Sequence, residues 1–557
     1  RPSSPGLSAK KCSSTAFASR MAPANALVVA LLASLFGFTV GEIIVETSAI
    51  TVQPAAKFNV ASLTSSESLF SDFFSLSVGC GLSGPQPTDP LPTCTLCFQN
   101  GEGDGMSCLM VSPAGYGQMA FYPNTPNEAA MFTTNAVAGV NNAGAFEGDV
   151  DPEAGLVCFH REKAGKEKAR CALMRTDVIH SGQTAQSLGK VGADTNPMYR
   201  NGAFGVQGLA LSESHAVVCY LLQNGAVECK GMYADKVNGL TDSNIYSAAV
   251  SLSTTAEADA GKNAQVYPVV AALSEDIYVA CFPDNYVSGS GFTVSCQKLK
   301  LSCGDPADGC LGNTDNSPTL ATEGSKWSMG DSTDLNCRAH GITLERVSAF
   351  DVEDSTASVL LCVSSTATGT CPALRCAVNS NDPDISFSED PNDWKDLIGN
   401  DARFGGAGVL LAAAVSEGPS DDYLQSFAGV CTAKVDSTSV DTPGVLCFGM
   451  TLSPNDSDDR LSVIDKINND GIEILDGFEA TSAVAFDGLS MATASTGRLT
   501  FTASMPGSVA LFMICAHQEN EQATQPFGCE GLSFELNAPP PPPGFPPSPP
   551  PPSPSPP

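Results

Sequence analysis

Three short stretches bring carboxylates close enough together to hold a hard cation. Asp149-Val-Asp151-Pro-Glu153, Asp382-Pro-Asp384 with Glu389, Asp390 and Asp393, and Asp456-Ser-Asp458-Asp459 each gather several oxygen donors in one turn-rich segment. That is the donor type and density calcium requires. Asp149, Asp151 and Glu153 are the candidate metal ligands, with calcium as the cation they suit. The competing reading is a set of solvated acidic loops, because no stretch fits an EF-hand. Residues 466–477 have a glycine at the sixth position but neither an aspartate at the first nor a glutamate at the twelfth.

The remaining search for chemistry is mostly negative. The five histidines, His160, His180, His215, His340 and His517, are scattered, with none four residues from another. The sequence contains no GxSxG, HExxH, GxxxxGK[ST] or GxGxxG. No catalytic residue is assigned, and the chain is read as a binding protein. The alternative is a carbohydrate-active enzyme that uses paired carboxylates on a rim, which requires two of them about 5 to 10 Å apart.

The cysteines are the most regular chemical feature. Cys97/Cys108, Cys158/Cys171, Cys219/Cys229, Cys281/Cys296, Cys362 with Cys371 or Cys376, Cys431/Cys447 and Cys515/Cys529 each flank a polar, turn-rich segment. The first cysteines of successive pairs lie 61, 61, 62, 81, 69 and 84 residues apart. Cys80 and Cys94 bracket a proline-rich loop, Cys303 and Cys310 bracket GDPADG, and Cys337 is left for whichever of Cys371 and Cys376 is spare. A structural zinc site is not expected, since Cys94-Thr-Leu-Cys97 is the lone CxxC.

These cysteines must be positioned by hairpins. In residues 208–239, a Val/Leu-rich run at 216–222 is followed by Asn224-Gly225, a dipeptide that tolerates positive φ in a tight turn, and then by a second extended run at 226–230. Cys219 and Cys229 stand near the middle of the two runs, so a cross-strand disulfide is geometrically reasonable. A loop of ten to fifteen residues contributes roughly 3 kcal/mol per disulfide on the chain-entropy model. Each repeat is therefore expected to be held locally rather than by a large apolar core. Seven hairpins at this period, with no sustained 3.6-residue pattern, predict an all-β repeat fold. Four strands per repeat closed in a ring make a β-propeller.

The run from Ser214-His215 through Cys219, Leu222, Gly225, Cys229 and Gly231 resembles the repeat of the regulator of chromosome condensation propellers and their disulfide-bearing secreted relatives. The resemblance implies a seven-bladed propeller and a packing role for His215. It departs from that family at Lys230-Gly231, where the family has tryptophan-glycine, and the other six repeats lack the histidine. Function does not carry over with the fold.

The organisation along the chain is then a leader over residues 1–41, a propeller over 42–537 and a tail over 538–557. Met21 reads as the start of a secretory signal whose apolar core, residues 26–40, is too short to span a bilayer. A plastid-type transit peptide over residues 1–20 is the alternative. The tail, APPPPPGFPPSPPPPSPSPP, fixes φ and lacks amide donors, so it should form a polyproline II rod about 60 Å long. It resembles the hydroxyproline-rich glycoproteins of plant and green-algal walls, which implies hydroxylated, glycosylated prolines, and its end inside the tract suggests that the chain continues beyond Pro557.

Without residues 1–41, 24 Lys+Arg face 60 Asp+Glu, and 20 cysteines remain, an even number. Such charge excludes nucleic acid and anionic membranes as partners, and paired cysteines need an oxidising compartment. Two long inter-repeat intervals, residues 303–326 and 453–477, read as inserted rim loops where a ligand would bind. The second carries the N-glycosylation sequon at Asn455. Together these features predict a secreted adhesive glycoprotein of the cell wall or extracellular matrix, binding glycan or a partner glycoprotein.

Overall fold

The hairpin around Gly225 shows how residue type becomes structure in this chain. Leu222 donates its amide to the Ala226 carbonyl and Gly225 donates to Leu222, each at 2.8 Å, with Gly225 at φ 81°. The loop thus encloses three residues and ends on a left-handed glycine, where a two-residue turn was expected. A single residue at positive φ is enough for this longer connection. Its arms, His215–Leu222 and Val227–Tyr233, pair antiparallel with Cys219 opposite Cys229.

This computed structural model describes residues 43–49, 77–83, 91–99, 106–111, 117–120, 129–134, 154–163, 166–175, 200–201, 203–211, 215–222, 225–233, 247–253, 267–274, 276–287, 290–302, 318–329, 337–347, 358–366, 371–379, 385–388, 390–399, 401, 404, 409–416, 426–434, 445–452, 461–463, 471–474, 485–493, 509–519 and 527–536. They are almost entirely strand, and Pro391–Asp393 is a short 3-10 turn. The strands form antiparallel sheets in chain order. The first sheet begins at Ser77–Ser83, the second at Ala129–Thr134 and the third at Ala203–Leu211.

The next sheet has eight strands and divides into two four-stranded halves, one starting at Val269–Ala272 and the other at Ala339–Val347, joined by the single pair Phe292 and Ala339. We refer to these halves as the fourth and fifth units. The sixth unit begins at Val409–Ser416 and the seventh at Ala485–Thr493. In the seventh the outermost strand comes from the other end of the sequence: Ile43–Ala49 pairs antiparallel with Phe527–Leu536.

Consecutive units lie against one another. The first strands of the second through seventh units touch in sequence order, and the seventh unit's Ala485–Thr493 lies against Ser77–Ser83 of the first. There the Val78 amide donates to Ser490 Oγ at 2.8 Å. The apolar cores fill the spaces between units, because alternate residues of one strand face different neighbours. Tyr278 and Ala280 pack with Val217 and Cys219 of the third unit, whereas Val279 and Cys281 pack with Leu361 and Val363 of the fifth. Strands covered on both faces are buried throughout, as in Ser358–Ser365 and Val445–Leu452, whose apolar runs end in small polar residues.

Disulfides join Cys158–Cys171, Cys219–Cys229, Cys281–Cys296, Cys337–Cys371, Cys362–Cys376 and Cys431–Cys447. Cys515 is also disulfide-bonded, and it stands opposite Cys529. The choice left open at Cys371 and Cys376 is settled: Cys376 joins Cys362 across the hairpin, and Cys371 takes Cys337. Cys97 stands opposite Cys108, and Cys80 opposite Cys94, in register. Cys303 and Cys310 lie outside the described residues.

Two expectations are corrected. The staples do not replace an apolar core but belong to it, since Cys219 and Cys229, Cys281 and Cys296, Cys362 and Cys376, and Cys431 and Cys447 are all fully buried between units. The two long intervals are also not wholly loop. Thr319–Ser328 supplies the fourth unit's outermost strand, while Leu461–Val463 and Ile472–Ile474 both pair with Val445–Leu452. Thr319–Ser328 was missed because it faces solvent along most of its length, so it carries no hydrophobic alternation.

The junction of the fourth and fifth units depends on one glycine. Gly291 has φ +92°, and a Cβ there would lie 2.4 Å from the Ala339 carbonyl oxygen, which is backbone and cannot yield. Gly291→Ala is predicted to destabilise the protein by about 2 kcal/mol or more. Gly399→Ala, where a Cβ meets nothing within 4 Å, should stay close to wild type. Thermal unfolding of both variants under non-reducing conditions checks this.

Candidate functional site

In the seam between the fourth and fifth units, four side chains stand in a row. Trp327, near the end of the exposed strand Thr319–Ser328, packs against Phe387 with ring centroids 4.9 Å apart. Phe387 lies 6.1 Å from Trp394, and the Arg375 guanidinium lies 5.8 Å from the Trp394 ring centroid. The chain contains two tryptophans, and both are in this row.

The acidic segment around Asp390 builds part of it. Asp390 Oδ1 accepts from the amide and side-chain nitrogens of Asn392 at 2.9 and 2.7 Å, and Ser388 Oγ bonds to Asp393 Oδ2. These local bonds set the 3-10 turn Pro391–Asp393, as aspartates commonly do in turns. The turn delivers Trp394, whose Nε1 donates to the Ser388 carbonyl at 3.0 Å. Asp390 and Asp393, read from sequence as part of a cation-binding cluster, thus serve turn geometry.

Arg375 sits on the fifth unit's third strand, Leu374–Val378, opposite Asp396 on Lys395–Ile398. Its side chain is 4% exposed, and Nε is 3.4 Å from Asp396 Oδ1. Nε and Nη1 are buried without a hydrogen-bond partner. Burial lowers the Arg375 pKa and raises that of Asp396, and the attraction between the two opposes both shifts.

Asp284 and His340, also buried, are accounted for structurally. Asp284 accepts from Ser253 Oγ of the third unit at 3.0 Å, and from Ser295 Oγ at 3.2 Å, Lys326 Nζ at 2.9 Å and the Asn285 amide at 3.1 Å. A carboxylate so surrounded ties two units together. His340 is buried, bonds Thr366 Oγ1 at 2.7 Å, and has its pKa lowered by that burial.

Glu345, on Ala339–Val347, was not singled out from sequence. It keeps a partly exposed surface, yet burial raises its pKa to about 8. Its lone position in ERV gave no charge-cluster signal.

Asp149, Asp151, Glu153, Asp382, Asp384, Glu389, Asp456, Asp458, Asp459, Asn455 and His180 lie outside the described residues. Among the described residues no three His, Cys, Asp or Glu side chains come together as a metal site. His215 begins the third unit's second strand, and His517 pairs in register with Gly488 and Phe527. No helix among the described residues is long and apolar enough to cross a membrane.

No family model matches the chain, and no curated protein matches it. Among solved structures it is similar to an arginine-to-alanine triple mutant of AofleA from Arthrobotrys oligospora, at 9% identity and a TM-score of 0.34, covering 76% of this chain and 90% of that one. A superposition at that level carries no argument about fold or function.

The raised Glu345 pKa has a definite sign. Folded Glu345 holds its proton up to about 8, whereas the unfolded chain releases it near 4.5. Its contribution to stability is therefore present below pH 4.5, declines as pH rises through that window, and is lost above about 8. Glu345→Gln should flatten the fall in thermal midpoint between pH 5 and 8, values bracketed by those pKa limits, and should raise the midpoint at the alkaline end. Melting curves across that range check it.

Proposed function

We propose that the chain is a secreted adhesive glycoprotein of a cell wall or extracellular matrix. Its head is a seven-bladed β-propeller that binds glycan or a partner glycoprotein through its rim, and its proline-rich tail is a polyproline II rod. The observation that carries the reading is the set of buried disulfides, each hairpin staple joining facing strands of one unit. Such bonds persist in oxidising, extracellular compartments. The propeller reading is supported by seven units in contact in chain order, six of four strands and one of five, and by an outermost strand borrowed from the opposite end of the sequence. A borrowed strand of that kind pairs edges that an open array would expose.

Adhesion fits the division of the chain. The tail beyond residue 537 has no apolar side chain other than proline except Ala538 and Phe545, so it adds nothing to the cores between units. An extended rod supplies reach and anchorage, while recognition stays with the head.

A chain ending at Asn537 should fold, be secreted and bind soluble matrix polysaccharide as the full chain does, while losing retention in the wall. The measurements are secretion yield, polysaccharide pull-down and wall fractionation. Retention equal to that of the full chain would contradict the role given to the rod.

A further inference from the structure

We propose that the Cys337–Cys371 disulfide is a redox-sensitive latch on the seam between the fourth and fifth units, opened by a dithiol reductant while each unit stays folded. This bond differs in kind from the cross-strand ones. Cys158–Cys171, Cys219–Cys229, Cys281–Cys296, Cys362–Cys376 and Cys431–Cys447 each join facing residues of paired strands, and every one of those cysteines is at most 1% exposed. Cys337 and Cys371 instead stand just before the strands Ala339–Val347 and Leu374–Val378, so their bond ties two strand entries together. Cys337 is buried, but Cys371 is partly exposed. Thiol–disulfide exchange needs a thiolate to reach a sulfur, so access decides which bond reacts first.

In the opening step one thiolate of the dithiol attacks Cys371 Sγ, the S–S bond breaks, and Cys337 leaves as a thiolate that takes up a proton. The second thiolate then attacks the reductant's own sulfur in the mixed disulfide and releases Cys371. Two electrons and two protons pass to the cysteine pair, and the dithiol ends as a disulfide. The Cys337 end is the one that carries the seam. Arg338 Nη1 donates to the Asn285 carbonyl at 2.6 Å and lies 3.4 Å from that of Gly291, on the two arms of one fourth-unit hairpin. Ala339 beside it makes the single strand pair with Phe292. The Cys371 end is held without the disulfide, because Ser365 Oγ donates to the Pro372 carbonyl, the Ser365 amide donates to Ala373 at 3.0 Å, and the Ala373 amide donates to Gly399 at 2.8 Å. Opening the bond therefore frees Cys337 and Arg338. The two units keep Cys281–Cys296 and Cys362–Cys376, which confines the change to the seam.

The test incubates the native full-length protein with dithiothreitol, traps released thiols by alkylation over a time course and maps them by mass spectrometry, with hydrogen exchange measured on the same samples. Cys337 and Cys371 should be labelled at least about tenfold faster than any cysteine of the five cross-strand bonds, since access governs the exchange. Once they are labelled, amides over residues 338–342 and 291–294 should exchange faster, while Ser358–Ser365 and Val445–Leu452 keep their protection. The double variant Cys337→Ser, Cys371→Ser, never exposed to reductant, should show the same local pattern, which assigns it to this bond and to no other. The inference is overturned if a cross-strand cysteine is labelled as fast as Cys337 and Cys371, if exchange over residues 338–342 does not change when their bond is open, or if protection is lost across the whole chain at that point.

Discussion

The close approach of two antiparallel strands at a facing residue pair is the constraint on which the rest of this structure depends. At Cys219–Cys229, Cys281–Cys296, Cys362–Cys376 and Cys431–Cys447 the Cα atoms are 4.0 to 4.1 Å apart. That is the spacing of the narrow, non-hydrogen-bonded pair in an antiparallel ladder. A disulfide there fixes register, and register decides which face of every strand meets which neighbour, since a slip of one residue turns each side chain over. The bond then lies in the core it has set: the staple of each of these four units packs in the cluster shared with the next unit in the chain. One chemical device thereby serves both the hairpin and the contact between units.

Much of this was legible in the sequence because cysteines mark register directly. The intervals around Cys158, Cys219, Cys281 and Cys431 named their partners, and the Gly225 turn announced its hairpin. The partition of Cys362, Cys371 and Cys376 was not legible, since Cys371 and Cys376 stand at similar distances from Cys362 and only strand register separates them. The outermost strands were hidden for a different reason. Thr319–Ser328 lies at a sheet edge, where burial leaves little pattern, and the partner of Ile43–Ala49 is at the far end of the chain.

The functional chemistry was harder to read for a related reason. Acidic clusters are conspicuous in sequence, but Asp390 and Asp393 are spent on a turn. Arg375, Trp394 and Trp327 are separated in sequence, and only the pairing of Leu374–Val378 with Lys395–Ile398 and the seam with the fourth unit bring them together. The burial of the Arg375 guanidinium beside Trp394 and Asp396 is a property of packing that composition cannot display. Glu345 is the same kind of case, ordinary in sequence and altered by where its strand lies.

The proposed propeller implies that the locally stapled units form one closed array, completed by a strand from the other end of the chain. Native-state hydrogen exchange on the full protein tests it most directly, because protection of an edge strand requires its partner. The amides of Ile43–Ala49 should be protected to the same degree as those of Phe527–Leu536, and both should lose protection together as denaturant is added. Free exchange across Ile43–Ala49 beside a protected Phe527–Leu536 would contradict the closed array and leave a row of stapled sheets open at its end.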